Sequence, residues 1–138
     1  MNEKYIKKLE LNKIIDVLES YCVTEIGKQL LHNIEPSSNK LIVKHLLSET
    51  TQAKNLIAQN SNPPIADVQD FSQISKLLKS NMTLSCGNLL KVGHILKISR
   101  NLKSYFSSLD DTSKYDSIEN YFDNLYTNID LENNVILI

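Results

Sequence analysis

Only three glycines and three prolines punctuate a chain of 138 residues, and that scarcity constrains the fold more than any other feature. Sandwiches and small barrels reverse direction often and spend glycine and proline at each turn. Long helices joined by few breaks do not, so an all-helical fold is expected. Apolar residues make up 41% and charged residues 22%, enough to bury the core of one ordinary domain. No stretch approaches the roughly 20 consecutive apolar residues of a membrane span. The N-terminus, Met1 to Lys8, is polar and leads straight into a patterned segment, unlike a signal peptide. A cytoplasmic chain without a membrane partner is therefore expected.

Apolar spacing divides the chain into helices. Asn12 is placed to cap a first, with Ile14, Val17, Leu18 and Tyr21 returning at helical intervals. Thr24 caps a second, carrying Ile26, Leu30, Leu31 and Ile34, which Pro36 closes. Ser38 opens the longest clean pattern, from about residue 39 to 59. Val43, Leu46, Leu47, Thr50, Ala53 and Ile57 line one of its faces, and Lys44, Ser48, Gln52 and Asn55 another. Asn60 to Pro64 ends it, because two successive prolines cannot continue a helix.

A short helix follows at about 71–79, using Ile74, Leu77 and Leu78. After a break at 81–84, Ser85 caps a long helix reaching about Ser107. Its broad apolar side holds Leu89, Val92, Ile95, Leu96, Leu102 and Phe106, with Ile98 and Tyr105 at the edge. A polar loop then leads to a last helix at about 116–128, carrying Ile118, Phe122, Leu125 and Tyr126. The run Val135-Ile136-Leu137-Ile138 looks like a strand cut from its partners. The other reading is an apolar tail tucked into the core.

Catalytic templates fit poorly. Gly27-Lys28 looks like the end of a phosphate-binding loop, but that loop needs glycine at position 22 and Ser or Thr at 29. Cys22 and Gln29 stand there, within a helical pattern, so a glycine at a close helix approach and a solvated lysine are expected instead. His32, His45 and His94 share no metal-ligand spacing. Asp67 and Asp70 suit capping of the helix that follows. Asp116, Glu119 and Asp123 form an acidic stripe of the kind that usually faces water. Cys22 and Cys86 lack a CxxC partner and are expected as free thiols, with no base beside either. No catalytic, cofactor or metal site is assigned. A net charge of −1 leaves any nucleic-acid contact to a local patch. Lys97, Arg100 and Lys103 climb one side of the long helix, beside its apolar face. They are placed either to touch phosphates or to solvate an amphipathic helix.

The order of landmarks resembles the N-terminal region of the second bacterial MutS subfamily, the Smr-bearing branch. Leu9-Glu10-Leu11-Asn12-Lys13-Ile14 looks like its opening motif. Thr24, Gly27-Lys28, Ile34 and Pro36 resemble its second helix, and Glu49-Thr50 with Ala53 its third. Pro63-Pro64 followed by Asp67-Val68 and Asp70 is similar to its connector. Leu84-Ser85 with Leu89-Leu90 resembles the opening of its long helix, and Ile129-Asp130 through Val135 the start of the next element. Two positions depart: Cys86 stands where proline is common, and Asn133 where glycine is common. Asn tolerates positive φ, so a turn is expected to survive there.

The resemblance implies that residues 1–138 form a fragment of a multihelical bundle like the start of MutS domain III, with core and lever helices. It implies a parent that forms a homodimer, hydrolyses ATP with Mg, and carries an endonuclease domain outside this chain. It further implies action on branched or mismatched DNA or on stalled ribosomes. No catalysis is expected in the fragment, which would act as a structural arm. A self-contained helical adaptor that binds a protein partner is the alternative.

Overall fold

The structure, a computed structural model, describes residues 10–65, 68 and 70–136. Seven α-helices make up most of them: α1 (Leu11–Glu19), α2 (Glu25–His32), α3 (Lys40–Gln59), α4 (Ser72–Lys79), α5 (Cys86–Ser107), α6 (Asp116–Asp123) and α7 (Ile129–Ile136). A 3-10 turn, Thr112–Tyr115, runs directly into α6. The fold is all-α, as the shortage of glycine and proline predicts.

Capping sets several boundaries. The Thr24 hydroxyl accepts from the Gly27 amide at 3.0 Å, and the Ser85 hydroxyl accepts from the Asn88 amide at 3.3 Å, satisfying donors that the first helical turn leaves free. Other caps differ from expectation. Asn39, not Ser38, starts α3, its carboxamide oxygen accepting from Leu41 at 3.0 Å. At α1, Asn12 lies inside the helix, and the preceding Glu10 takes a left-handed conformation with φ 56°. Phe71, not Asp70, holds the N-cap position of α4 and makes no side-chain cap bond; Asp70, one residue earlier, accepts from the Ser72 amide at 2.9 Å and hydroxyl at 2.7 Å. Those bonds, the amide first, hold its carboxyl below the usual range. Asp67 lies outside the described residues.

α5 is the spine. Near its end, Phe106 meets Leu56 of α3, Tyr115 of the 3-10 turn and Ile118 of α6 in the main apolar cluster. The Phe106 ring stacks on Phe122 with centroids 4.3 Å apart and meets Tyr115 edge-on at 6.5 Å, both favourable aromatic geometries. The Tyr115 hydroxyl accepts from the Asn60 side chain at 3.1 Å and donates to Gln59 at 3.3 Å. The Tyr105 hydroxyl donates to the Ser61 carbonyl at 2.6 Å. The asparagine-rich end of α3 is thereby tied to the aromatic cluster.

α3 packs through a different face from the one its apolar stripe predicts. Leu56, absent from that stripe, is 3% exposed, whereas Leu46, Leu47 and Ile57 stay at the surface. Ser48 and Gln52, from the polar face, meet α6. Gln52 accepts from the Ser117 amide at 2.9 Å and donates to Asp116 at 2.6 Å, and the Ser48 and Ser117 hydroxyls lie 2.8 Å apart. Gln52 thus satisfies an amide in the first turn of α6 from a neighbouring helix. Its bond also depresses the Asp116 carboxyl.

The C-terminal strand reading is overturned. Residues 129–136 form α7, and no strand occurs among the described residues. Asn128 caps it, its side-chain oxygen accepting from Leu131 at 2.9 Å. Glu132 and Val135, three residues apart, are both buried, because i and i+3 share a helix face. The helix runs through Asn133, so the turn expected there does not form. Residues 137–138 lie outside the described set. The helix expected over 116–128 is correspondingly shorter and stops at Asp123.

Candidate interaction surface

The cations on α5 have distinct surroundings. Arg100 forms a two-pronged pair with Glu132 of α7: Nε to Oε2 at 2.9 Å and a terminal nitrogen to Oε1 at 2.8 Å. The carboxylate is 4% exposed by residue, and the guanidinium fork suits such bidentate contact. The Arg100 hydrogen bonds hold Glu132 below the ordinary carboxylate range, while Glu132 raises Arg100 further. The Lys103 ammonium donates to the Asp123 carbonyl at 3.2 Å and lies 3.5 Å from that of Leu125. There it meets the negative end of α6. Lys97 is exposed on the surface of α5. Two of the predicted phosphate-contacting residues therefore serve as joints between helices. The signal in the sequence is the three-residue spacing of Glu132 and Val135 on one face of a helix capped by Asn128.

The other candidate groups are dispersed. His32 lies 3.3 Å from Glu19, and His45 3.2 Å from Glu49. His94 is exposed on α5. Cys22 and Cys86 are both free thiols. Gly27 does not mark a close approach of two helices: a Cβ there would lie 3.1 Å from the capping Thr24 hydroxyl, so the cap itself favours glycine. Lys28 pairs with Glu25 at 2.7 Å. Among the described residues, no three His, Cys, Asp or Glu side chains gather in a metal-binding group. No described helix is long and apolar enough to cross a membrane.

Surface apolar residues are the more unusual feature. Leu41, Ile42, Leu46 and Leu47 lie exposed on α3, and Ile14, Val17, Tyr21 and Leu30 on α1, α2 and the turn between them. Between α3 and α6 an apolar groove of about 550 Å³ opens, with Ile57, Ile65, Leu102 and Leu125 among its walls. An exposed apolar groove of this kind is a common mark of an interaction site.

No protein-family profile matches the chain, and no solved structure does. Relatives are nevertheless clear. The endonuclease MutS2 of Clostridium beijerinckii is 34% identical over 119 residues, covering 86% of this chain and 15% of the relative. That of Acetivibrio thermocellus is 38% identical over 108 residues, covering 78% of this chain and 14% of the relative. That of Clostridium acetobutylicum is 30% identical over 135 residues, or 98% of this chain and 17% of the relative. The chain thus spans only 14% to 17% of the length of these curated relatives. Over the segment it covers, the chain is related to the MutS2 proteins.

Proposed function

We propose that residues 1–138 are the N-terminal helical core of a MutS-like ATPase, serving as an arm between its ATPase domain and the clamp that holds its substrate. The parent would bind ATP and Mg through a domain outside this chain and act as a homodimer. Its substrate would be branched or mismatched DNA, or a stalled ribosome, and its endonuclease domain would also lie elsewhere. In this reading the chain supplies geometry and no chemistry.

The bracing of α5 is the observation that carries the reading. This helix is 22 residues long, or about 33 Å at 1.5 Å per residue. Arg100 pins α7 to it, and the Phe106 stack pins α6. Gln52 and Leu56 join α3 to the same assembly. Helices locked in this way move as a rigid body, so a displacement at one end reaches the other.

The exposed apolar groove favours a second reading, an independent helical adaptor that receives a partner helix. The downstream reading frame distinguishes the two. Continuation past Ile138 into a phosphate-binding Walker motif is expected, whereas a stop codon there would leave the adaptor. ATP hydrolysis by the product of the intact gene is the matching biochemical test.

A further inference from the structure

Along its 22 residues α5 carries Lys91, Lys97, Arg100 and Lys103 and no carboxylate, in a chain whose net charge is −1. A helix face that only meets water usually mixes both signs, because opposite charges three or four residues apart favour each other. Arg100 and Lys103 are engaged with α7 and α6. Lys91 and Lys97 are exposed, and the ion pairs among the described residues include neither. Lys97 lies near enough to Glu132 to help lower its carboxyl, but Arg100 holds both oxygens of that group. His94, Lys97, Asn101 and Ser104 recur at steps of three and four residues and so share one side of α5, away from buried Leu96 and Phe106. Lys91 stands one turn before His94. Each of these five side chains can donate a hydrogen bond, and all but the half-buried Asn101 are exposed.

We propose that this row of donors, Lys91, His94, Lys97, Asn101 and Ser104, lies along the phosphate backbone of duplex DNA. The inference rests on the arm reading above and adds that the arm itself touches the substrate. From Lys91 to Ser104 the row runs about 20 Å at 1.5 Å per residue, and one DNA strand presents a phosphate for every 3.4 Å or so of axis. Lysine, asparagine and serine are the side chains that commonly meet phosphate oxygens, and such contacts position a protein without reading sequence. The row has no aromatic side chain on which an unpaired base could stack, so it suits a duplex and not a single strand. Duplex RNA is gripped across its wide minor groove over roughly 16 base pairs, a broader footprint than one helix face. A protein interface would present aromatic or apolar anchors at its centre, and the row has none.

The test measures binding of the intact protein to a four-way branched DNA across a salt series, with a duplex RNA of equal length in parallel. Replacing Lys91 and Lys97 together by Ala should reduce the slope of log affinity against log salt by about two, each lost phosphate contact accounting for about 0.9. Melting temperature should not change, because both side chains are exposed. Ser104→Lys adds a cation to the row and should steepen the slope by about one. Lys44→Ala, on the exposed surface of α3, is the control and should leave the slope alone. An unchanged slope in the double variant, or the same change in the Lys44 control, overturns the proposal. A larger effect on the RNA than on the DNA also overturns it, as does an active ATPase that binds no DNA. ATP hydrolysis by the same preparation keeps the two readings apart. A DNA-binding ATPase with an unchanged slope refutes only the α5 contact, whereas a gene ending at Ile138 refutes the arm reading itself.

Discussion

Asn81 shows how one residue can close a helix. It takes φ 53°, and the Met82 amide reaches back to the Leu77 carbonyl at 3.0 Å while its own amide reaches Leu78 at 3.0 Å. This is the paired arrangement in which a left-handed residue terminates a helix. Asn81→Gly should therefore stabilise the protein slightly, and Asn81→Val should destabilise it by about 1–2 kcal/mol. Chemical denaturation compares the two, and equal midpoints would show that the strain is absent. Arg100 and Glu132 give a second prediction. Because pairing lowers the folded-state value of Glu132, its stabilising contribution is complete above the ordinary glutamate range. It is lost as pH falls from that range through the depressed folded value. Melting temperature should consequently fall with acid below about pH 4, and Glu132→Gln should flatten part of that slope. Arg100→Ala should lower stability at neutral pH by more than removal of both partners does, since it alone leaves a buried carboxylate unpaired.

Among the elements, α7 separates what the sequence makes legible from what it hides. The helix bounds at α5 follow from Ser85 and the spacing after it, and α2 follows from Thr24. The run beginning at Val135 is apolar and β-branched, and short runs of that kind do not distinguish strand from helix. Asn128 held the deciding signal, but drawing the previous helix through residue 128 concealed it as a cap. Replacing Asn128 by Ala should cost about 1 kcal/mol; a smaller loss than at an exposed control site would mean that the cap is unimportant. The face of α3 was hidden for another reason. Its packing on α6 uses Gln52 and Ser48, and polar side chains that satisfy a neighbouring helix cannot be told from solvated ones by periodicity. Lys97, Arg100 and Lys103 were legible as a group, but their division into one exposed lysine and two helix joints depends on α6 and α7.

At the scale of the whole molecule, these joints brace α3, α6 and α7 against α5, which is the rigidity that the proposed arm requires. Phosphate contact by the cations of α5 makes its own prediction for the intact protein. If Lys97 contacts phosphate, Lys97→Ala should reduce the slope of log affinity against log salt by about one with no loss of stability. An unchanged slope removes that role. For the arm itself, the decisive quantity is ATP turnover by the intact protein with and without substrate, using a four-way branched DNA and, separately, ribosomes. Arg100→Ala, which loosens α7 from α5, should keep basal turnover while losing the change in turnover that substrate produces. If that response survives at full size with α7 demonstrably loosened, the braced α5 assembly does not carry the coupling.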